Sequence, residues 1–485
     1  MAENVSVFTV LKSLAWKFFE RGGVQVVQFI IGIILARILT PFDYGAVALI
    51  TIFTSIAAVF VQSGLSSALI QKENADKTDF SSVTVYCFAL AVFIYGLLFA
   101  SAPYIAGFYN MPQLKSVLRV MALILFPGAL TSVQLAVLTK QLAFKKQFFA
   151  GMSTVILSGI LGIYLAVKGY GVWALVYQQL SYQVFLFILL LFISPWRPSL
   201  DFSYQRTKSL LAYGSKLLGA TLIDTVYHNL ESFILGKKYS AEILAFCNKG
   251  KMFPLILIDN IDGAIQNVMF PVYSKQQSNL VTLKQMLRRT MATSTFLVFP
   301  AMLGLACVAK PLVLIVLGEK WLAAVPYLQL YCLISMCFPL QTANLQAINA
   351  IGRSDVYFKL MLFKRLGGVA LLALAVVLFN TPFSIIWACL ITEILAILIN
   401  IFPNKKLLNY TPKEMFGDML NNLIIGIIMA CVSYSILFIG LSVWVCLPLQ
   451  CLAGIVSYIL LAMIFKNPNL IYFWEKFKLV KEKLK

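Results

Sequence analysis

The sequence predicts an all-α integral membrane fold with fourteen transmembrane helices. Three observations predict it. Hydrophobic residues make up 60% of the 485 and charged ones only 12%, with a mean hydropathy of +0.87. A soluble domain is about 45–50% apolar and about 25% charged. Fourteen apolar runs are each long enough to cross a hydrocarbon core, which takes about 20 residues. No alternating pattern of short segments suggests a membrane barrel.

The runs fall at 13–39, 44–70, 80–107, 114–139, 148–168, 171–193, 209–236, 242–273, 286–309, 322–350, 356–379, 383–402, 419–439 and 443–465. Several exceed 25 residues and must tilt or project. The first carries Lys17, Glu20 and Arg21, and no small-residue cleavage site follows it. It is expected to be an uncleaved span rather than a signal peptide. With the N-terminus placed inside, cytoplasmic segments hold 24 Lys+Arg and the opposite loops 6. This is a positive-inside distribution, and an even number of spans leaves both termini cytoplasmic. The resulting organisation is an N-terminal six-helix lobe (1–193), a cytoplasmic interlobe linker (194–208), a C-terminal six-helix lobe (209–402), helices 13 and 14 (403–465) and a basic tail (466–485). The linker around Trp196 reads as interfacial. The tail, with Trp474, Phe477 and Leu484, reads as amphipathic and surface-lying.

The first twelve spans contain one pattern twice. Span 2 ends Gly64-Leu-Ser-Ser-Ala-Leu-Ile-Gln-Lys72, and span 8 ends Gly263-Ala-Ile-Gln and onward to Lys275. Asp43 and Glu242 each precede the glycine by the same interval. Phe126-Pro127 with Gln134 matches Phe338-Pro339 with Gln346, and Pro103 and Pro311 sit at matching places after spans 3 and 9. Six spans separate the copies, so the repeats are parallel. They predict two lobes, spans 1–6 and 7–12, around a central cavity.

Charge inside the spans is the functional signal. Nine basic residues (Lys17, Arg21, Arg37, Arg119, Lys216, Lys249, Lys251, Lys364, Arg365) and six acids (Glu20, Asp224, Glu231, Asp259, Asp262, Glu393) remain after the loops are counted. A charge near the bilayer centre costs several kcal/mol and therefore faces a cavity or a partner. Arg37 and Arg119 lie near outer ends, where they can snorkel. Arg21, Lys216, Lys249, Lys364 and Arg365 lie deeper and predict a cationic cavity suited to a phosphate or pyrophosphate. Lys249 and Lys251 point to different sides of one helix, so one of them is expected to face it. The alternative for the group is intramembrane ion pairing, for instance Lys216 or Lys249 with Asp224 or Glu231. Asp224 and Glu393 are candidates for sodium or proton coupling, or for pairing with those same bases. His228, one turn after Asp224, reads as a packing histidine. One histidine and nine cysteines scattered through apolar stretches without a C-x-x-C give no metal site and no disulfide framework. No phosphate-binding loop, nucleotide cofactor, nucleophile–histidine–acid set or nucleic-acid patch is indicated.

The stretch Leu35-Ala-Arg-Ile-Leu-Thr-Pro-Phe-Asp-Tyr-Gly45 resembles the signature of the polysaccharide transporter, or Wzx-type flippase, branch of the multidrug/oligosaccharidyl-lipid/polysaccharide (MOP) exporter superfamily. Segments 64–72, 102–109, 142–146, 169–176, 196–198, 210–215, 229–231 and 318–321 continue the resemblance, which covers residues 13–350 and looks most like the colanic and teichuronic acid exporter type. Where the family opens span 8 with L-G-Y-Y-x-R-A, this chain has Leu244-Ala-Phe-Cys-Asn-Lys249-Gly250, keeping the basic residue. The resemblance implies a flippase that moves undecaprenyl-pyrophosphate-linked oligosaccharides from the inner to the outer leaflet of a bacterial cytoplasmic membrane by alternating access, for O-antigen, capsule or exopolysaccharide synthesis. It implies a transporter rather than an enzyme. Membrane lipids and the lipid-linked sugar are its expected partners, with a polymerase and glycosyltransferases of the same pathway. The other reading is an ion-coupled multidrug antiporter of the same superfamily. Such a protein needs an acidic cavity, whereas the embedded charges here are nine basic to six acidic.

Overall fold

The computed structural model describes residues 7–62, 64–199, 201–472 and 474, without side chains at 7–21, 264 and 267. Helix makes up 88% of the described residues, and no strand occurs among them. The chain divides into two compact units. The first, Met1–Ala245, holds α1 (Val7–Ile38), α2 (Pro41–Gln62), α3 (Leu65–Gln71), α4 (Lys77–Phe108), α5 (Leu114–Met121), α6 (Leu125–Lys140), α7 (Phe144–Val167), α8 (Val172–Ile193) and α9 (Tyr204–Lys238). Helix α10 (Ala241–Ala264) begins there. The second, Phe246–Lys485, holds the rest of α10, then α11 (Phe270–Ser274), α12 (Leu280–Cys307), α13 (Ala309–Val316), α14 (Val325–Met336), α15 (Phe338–Ala350), α16 (Ser354–Leu378), α17 (Pro382–Leu408), α18 (Pro412–Ser435) and α19 (Val443–Ile464).

Every predicted run is helical apart from local breaks, and α13 is an addition. Among the described residues, eleven helices are long and apolar enough to cross a bilayer. The three remaining runs fall on α1, α9 and α10. In α1 the apolar stretch found is Gly22–Ile38. In α9 and α10 the embedded charges themselves (Lys216, Asp224 and Glu231; Lys249, Lys251, Asp259 and Asp262) lower the hydropathy.

The breaks have local causes. Pro127, Pro271 and Pro339 lack an N–H and crowd the carbonyl four residues back. Next to them lie the 3-10 turn Ala122–Ile124, the π turn Ile265–Met269 and the junction at Cys337. Gly64 separates α2 from α3 with φ +65°, and a Cβ there would lie 2.5 Å from the Gly214 carbonyl oxygen on α9. Pro103 corrects an expectation. It lies inside α4, which runs on to Phe108. The carbonyl it frees, that of Phe99, accepts from Arg119 Nε at 3.3 Å, and the Arg119 guanidinium sits 3.9 Å from the Phe99 ring centroid. Arg119 thus satisfies the freed backbone group, which is how membrane helices tolerate proline.

The 35–45 stretch is read by the fold as a helix junction. Leu35 and Ala36 are buried. Thr40 and Asp43 cap α2 reciprocally, Asp43 N–H donating to Thr40 Oγ1 at 3.3 Å and Thr40 N–H to Asp43 Oδ2 at 3.0 Å. Gly45 allows α10 to start against it, since a Cβ would lie 1.9 Å from the Ala241 carbonyl oxygen. Helix contacts without a Cβ are a main source of packing where lipid supplies no hydrophobic drive.

Two ion-pair clusters tie helix ends. In the first unit the fully buried Asp79 receives Lys72 Nζ at 2.6 Å and lies 3.6 Å from Arg206, which also binds Asp76. The linker packs onto this end of α4: Trp196 is buried against Phe80 at 5.9 Å, and Ser199 hydrogen-bonds Ser81 at 2.7 Å. In the second unit Arg288 grips Asp418 with two nitrogens, at 2.9 and 2.7 Å, and Lys284 meets Glu414 at 2.8 Å. Most of the tail, 475–485 with Phe477 and Leu484, lies outside the described residues.

Candidate substrate site

Helix α9 is too polar for lipid on one side. Its other side packs on α2, α3 and α4 through Thr207, Leu210, Gly214, Glu231 and Leu235, all buried. Asn229 ties it to α2, its Nδ2 donating to Ser55 Oγ at 3.3 Å. The exposed side carries Tyr213, Lys216, Asp224 and His228. Asp224 Oδ2 lies 3.4 Å from His228 Nε2, one turn on. The histidine read as packing is therefore 62% exposed and paired with the predicted coupling acid. Lys216 is exposed.

The bases of the second unit are placed differently. Lys249 is buried with its ammonium 5.8 Å from the centroid of the wholly buried Trp321. Lys251 lies 5.4 Å from the Tyr331 ring, whose hydroxyl meets Cys247 Sγ at 3.3 Å. Both lysines thus meet aromatic rings, Trp321 in the segment leading into α14 and Tyr331 on α14 itself. Gly250 between them allows the close approach, since a Cβ would lie 2.7 Å from the Leu328 nitrogen.

Lys364 and Glu393 come together through a residue that charge counting misses. Lys364, on α16, is buried and donates to Gln341 Oε1 at 3.4 Å. The Gln341 amide, on α15, donates in turn to the Glu393 carboxylate on α17. One amide, using both its donor and its acceptor, links acid to base across three helices. Arg365 beside it is half-buried. The Arg21 side chain lies outside the described residues. No group of three or more His, Cys, Asp or Glu able to hold a metal occurs among the described residues.

An apolar cavity of about 560 Å³ opens among α10, α12, α18 and α19, lined by Leu257, Leu297, Gly304, Met429, Gly454 and Tyr458 among others. No charged side chain lines it.

These features define a multi-helix membrane fold that carries charged and polar side chains on otherwise apolar helices. The chain belongs to the family of polysaccharide biosynthesis proteins, whose model matches residues 34–326. The succinoglycan biosynthesis transport protein ExoT of Rhizobium meliloti (strain 1021) is 23% identical over 394 residues, 81% of this chain and 80% of that one. The teichuronic acid biosynthesis protein TuaB of Bacillus subtilis (strain 168) is 24% identical over 355 residues, 72% and 73% of the two chains. Among solved structures, the lipid II flippase MurJ in an inward closed conformation superposes with a TM-score of 0.73 at 16% identity, covering 94% of this chain and 98% of its own. An inward-facing multidrug resistance MATE transporter of the MOP superfamily gives 0.62 at 16% identity, covering 79% and 95%. The fold is that of the MOP superfamily, and the family expected from the sequence motifs is the one found. Because a lipid flippase and a drug transporter share the fold, it does not by itself choose between their substrates.

Proposed function

We propose that the protein is a flippase carrying undecaprenyl-pyrophosphate-linked oligosaccharides from the inner to the outer leaflet by alternating access, in surface polysaccharide synthesis. One observation carries this reading: the exposed face of α9, with Tyr213, Lys216, Asp224 and His228 on a helix within an apolar bundle. Such a face requires a water-filled cavity, and its lysine suits an anionic head group. The apolar cavity beside α12, α18 and α19 is chemically suited to the polyprenyl chain of the same molecule. The family and the transport role named for its relative ExoT support the reading.

In this proposal α1, α9 and α10 complete fourteen spans, arranged as two six-helix repeats plus two further helices with both termini cytoplasmic in the inner membrane. Lys216, Arg365 and Arg21 meet the pyrophosphate directly. Lys249 and Lys364 join them where the transport cycle unpacks Trp321 and Gln341. Asp224, beside His228, and Glu393, linked to Lys364, are the groups through which a proton or sodium gradient would act. A polymerase and glycosyltransferases of the pathway stand on either side of the step. The test is translocation in vesicles: purified protein reconstituted with undecaprenyl-pyrophosphate-linked oligosaccharide should expose the sugar to an external glycosidase. Vesicles with protein that protect the sugar as well as protein-free vesicles do would refute the reading.

A further inference from the structure

The first unit contains a second polar feature that carries no charge. A partly open cavity of about 180 Å³ lies among α2, α5, α6 and α8. Its polar lining is Thr51, Thr54, Ser55 and Gln62 from α2 and Gln179 and Gln183 from α8, over an apolar floor from α5 and α6 that includes Met121 and Leu125. The hydroxyl protons are spent on the helix: Thr51 Oγ1 donates to the Val47 carbonyl at 2.8 Å and Ser55 Oγ to that of Ile52 at 2.9 Å. Thr51 Oγ1 keeps its lone pairs as acceptors, while Ser55 Oγ already accepts from Asn229. Among the described residues the side-chain amides of Gln62, Gln179 and Gln183 make no hydrogen bond, so each offers a donor pair and an acceptor.

That chemistry narrows the occupant. Without a carboxylate the lining is a poor host for a hard cation, and without a cation it is a poor host for a phosphate. The volume sets the size: a cavity of roughly 150 Å³ takes one benzene ring. We infer that this cavity is a saccharide subsite that takes one sugar ring of the substrate, its hydroxyls on the glutamine and threonine groups and its carbon face on the apolar floor. The inference rests on the flippase reading and separates sugar recognition from head-group recognition.

The test uses native mass spectrometry of the purified full-length protein with two probes. These are the polyprenyl-pyrophosphate glycolipid fraction of the host membrane and sugar-free undecaprenyl pyrophosphate. In the Gln179→Leu/Gln183→Leu double variant, retention of the glycolipid should fall about tenfold, the effect of losing two neutral hydrogen bonds. Retention of the sugar-free lipid should not change. The isosteric Thr51→Val keeps the fold safe and should give a loss of roughly twofold to threefold, again confined to the glycolipid. Unchanged glycolipid retention in both variants, or an equal loss of the two lipids, overturns the subsite. Wild-type protein that retains neither lipid overturns the flippase reading instead.

Discussion

The two units treat their deep lysines in opposite ways. On α9, in the first unit, Lys216, Asp224 and His228 are displayed. In the second unit Lys249 is pressed on Trp321 and Lys364 is bonded through Gln341 to Glu393. The contrast teaches that depth along a membrane helix does not assign a lysine its role. A displayed ammonium can meet a ligand. A buried one is compensated by its neighbours, and removing it leaves those neighbours exposed to the full cost of burial.

The largest expected effect therefore lies in the buried network. Lys364→Met should lower stability by about 3–5 kcal/mol, the cost of leaving a buried charge uncompensated. Adding Glu393→Gln should recover most of it. Thermal midpoints of the full chain in detergent check both, and a stable Lys364→Met would show that the network does not hold the helices. Lys249→Met keeps the side-chain volume and removes the ammonium beside Trp321, a contact worth about 0.5–2 kcal/mol. A loss as large as that of Lys364→Met would place Lys249 in a network of its own.

The smallest effect concerns the exposed tie between Asp76 and Arg206 outside the spans. The hydrogen bond from Arg206 holds the Asp76 carboxyl below its ordinary range. A carboxyl whose pKa is lowered by folding adds stability above its unfolded pKa and loses it as pH falls through the folded value. Wild type should exceed Asp76→Asn slightly at neutral pH, and the two midpoints should converge on acidification. A gap that persists in acid would mean the ion pair is not its source.

Much of the fold was readable because span length and hydropathy report directly on lipid exposure. All fourteen runs fall on helix, and the Phe-Pro landmarks fall at real interruptions. Pro103 was misread, because nothing in a hydropathy profile shows Arg119 waiting to bind the Phe99 carbonyl. The short α13 fell between two predicted spans, because eight residues are too few to register as a membrane-crossing run. Among the embedded charges, the positions were legible in the sequence and the neutral partners were not. Gln341, Trp321 and the glutamines of α8 are neutral, so a census of charge passes over them, and an amide inside an apolar run barely moves its average. An amide repeated one turn apart, as Gln179 and Gln183 are, is the signal that could have found the cavity.

The central claim, that displayed rather than buried charge handles the head group, is tested most directly at Lys216. Substitution on an exposed face should leave stability within about 0.5 kcal/mol. In reconstituted vesicles Lys216→Ala should slow translocation of undecaprenyl-pyrophosphate-linked oligosaccharide about tenfold, the effect of losing one charge-assisted contact, while Lys216→Arg should stay near wild type. Wild-type translocation by a folded Lys216→Ala protein would contradict the account.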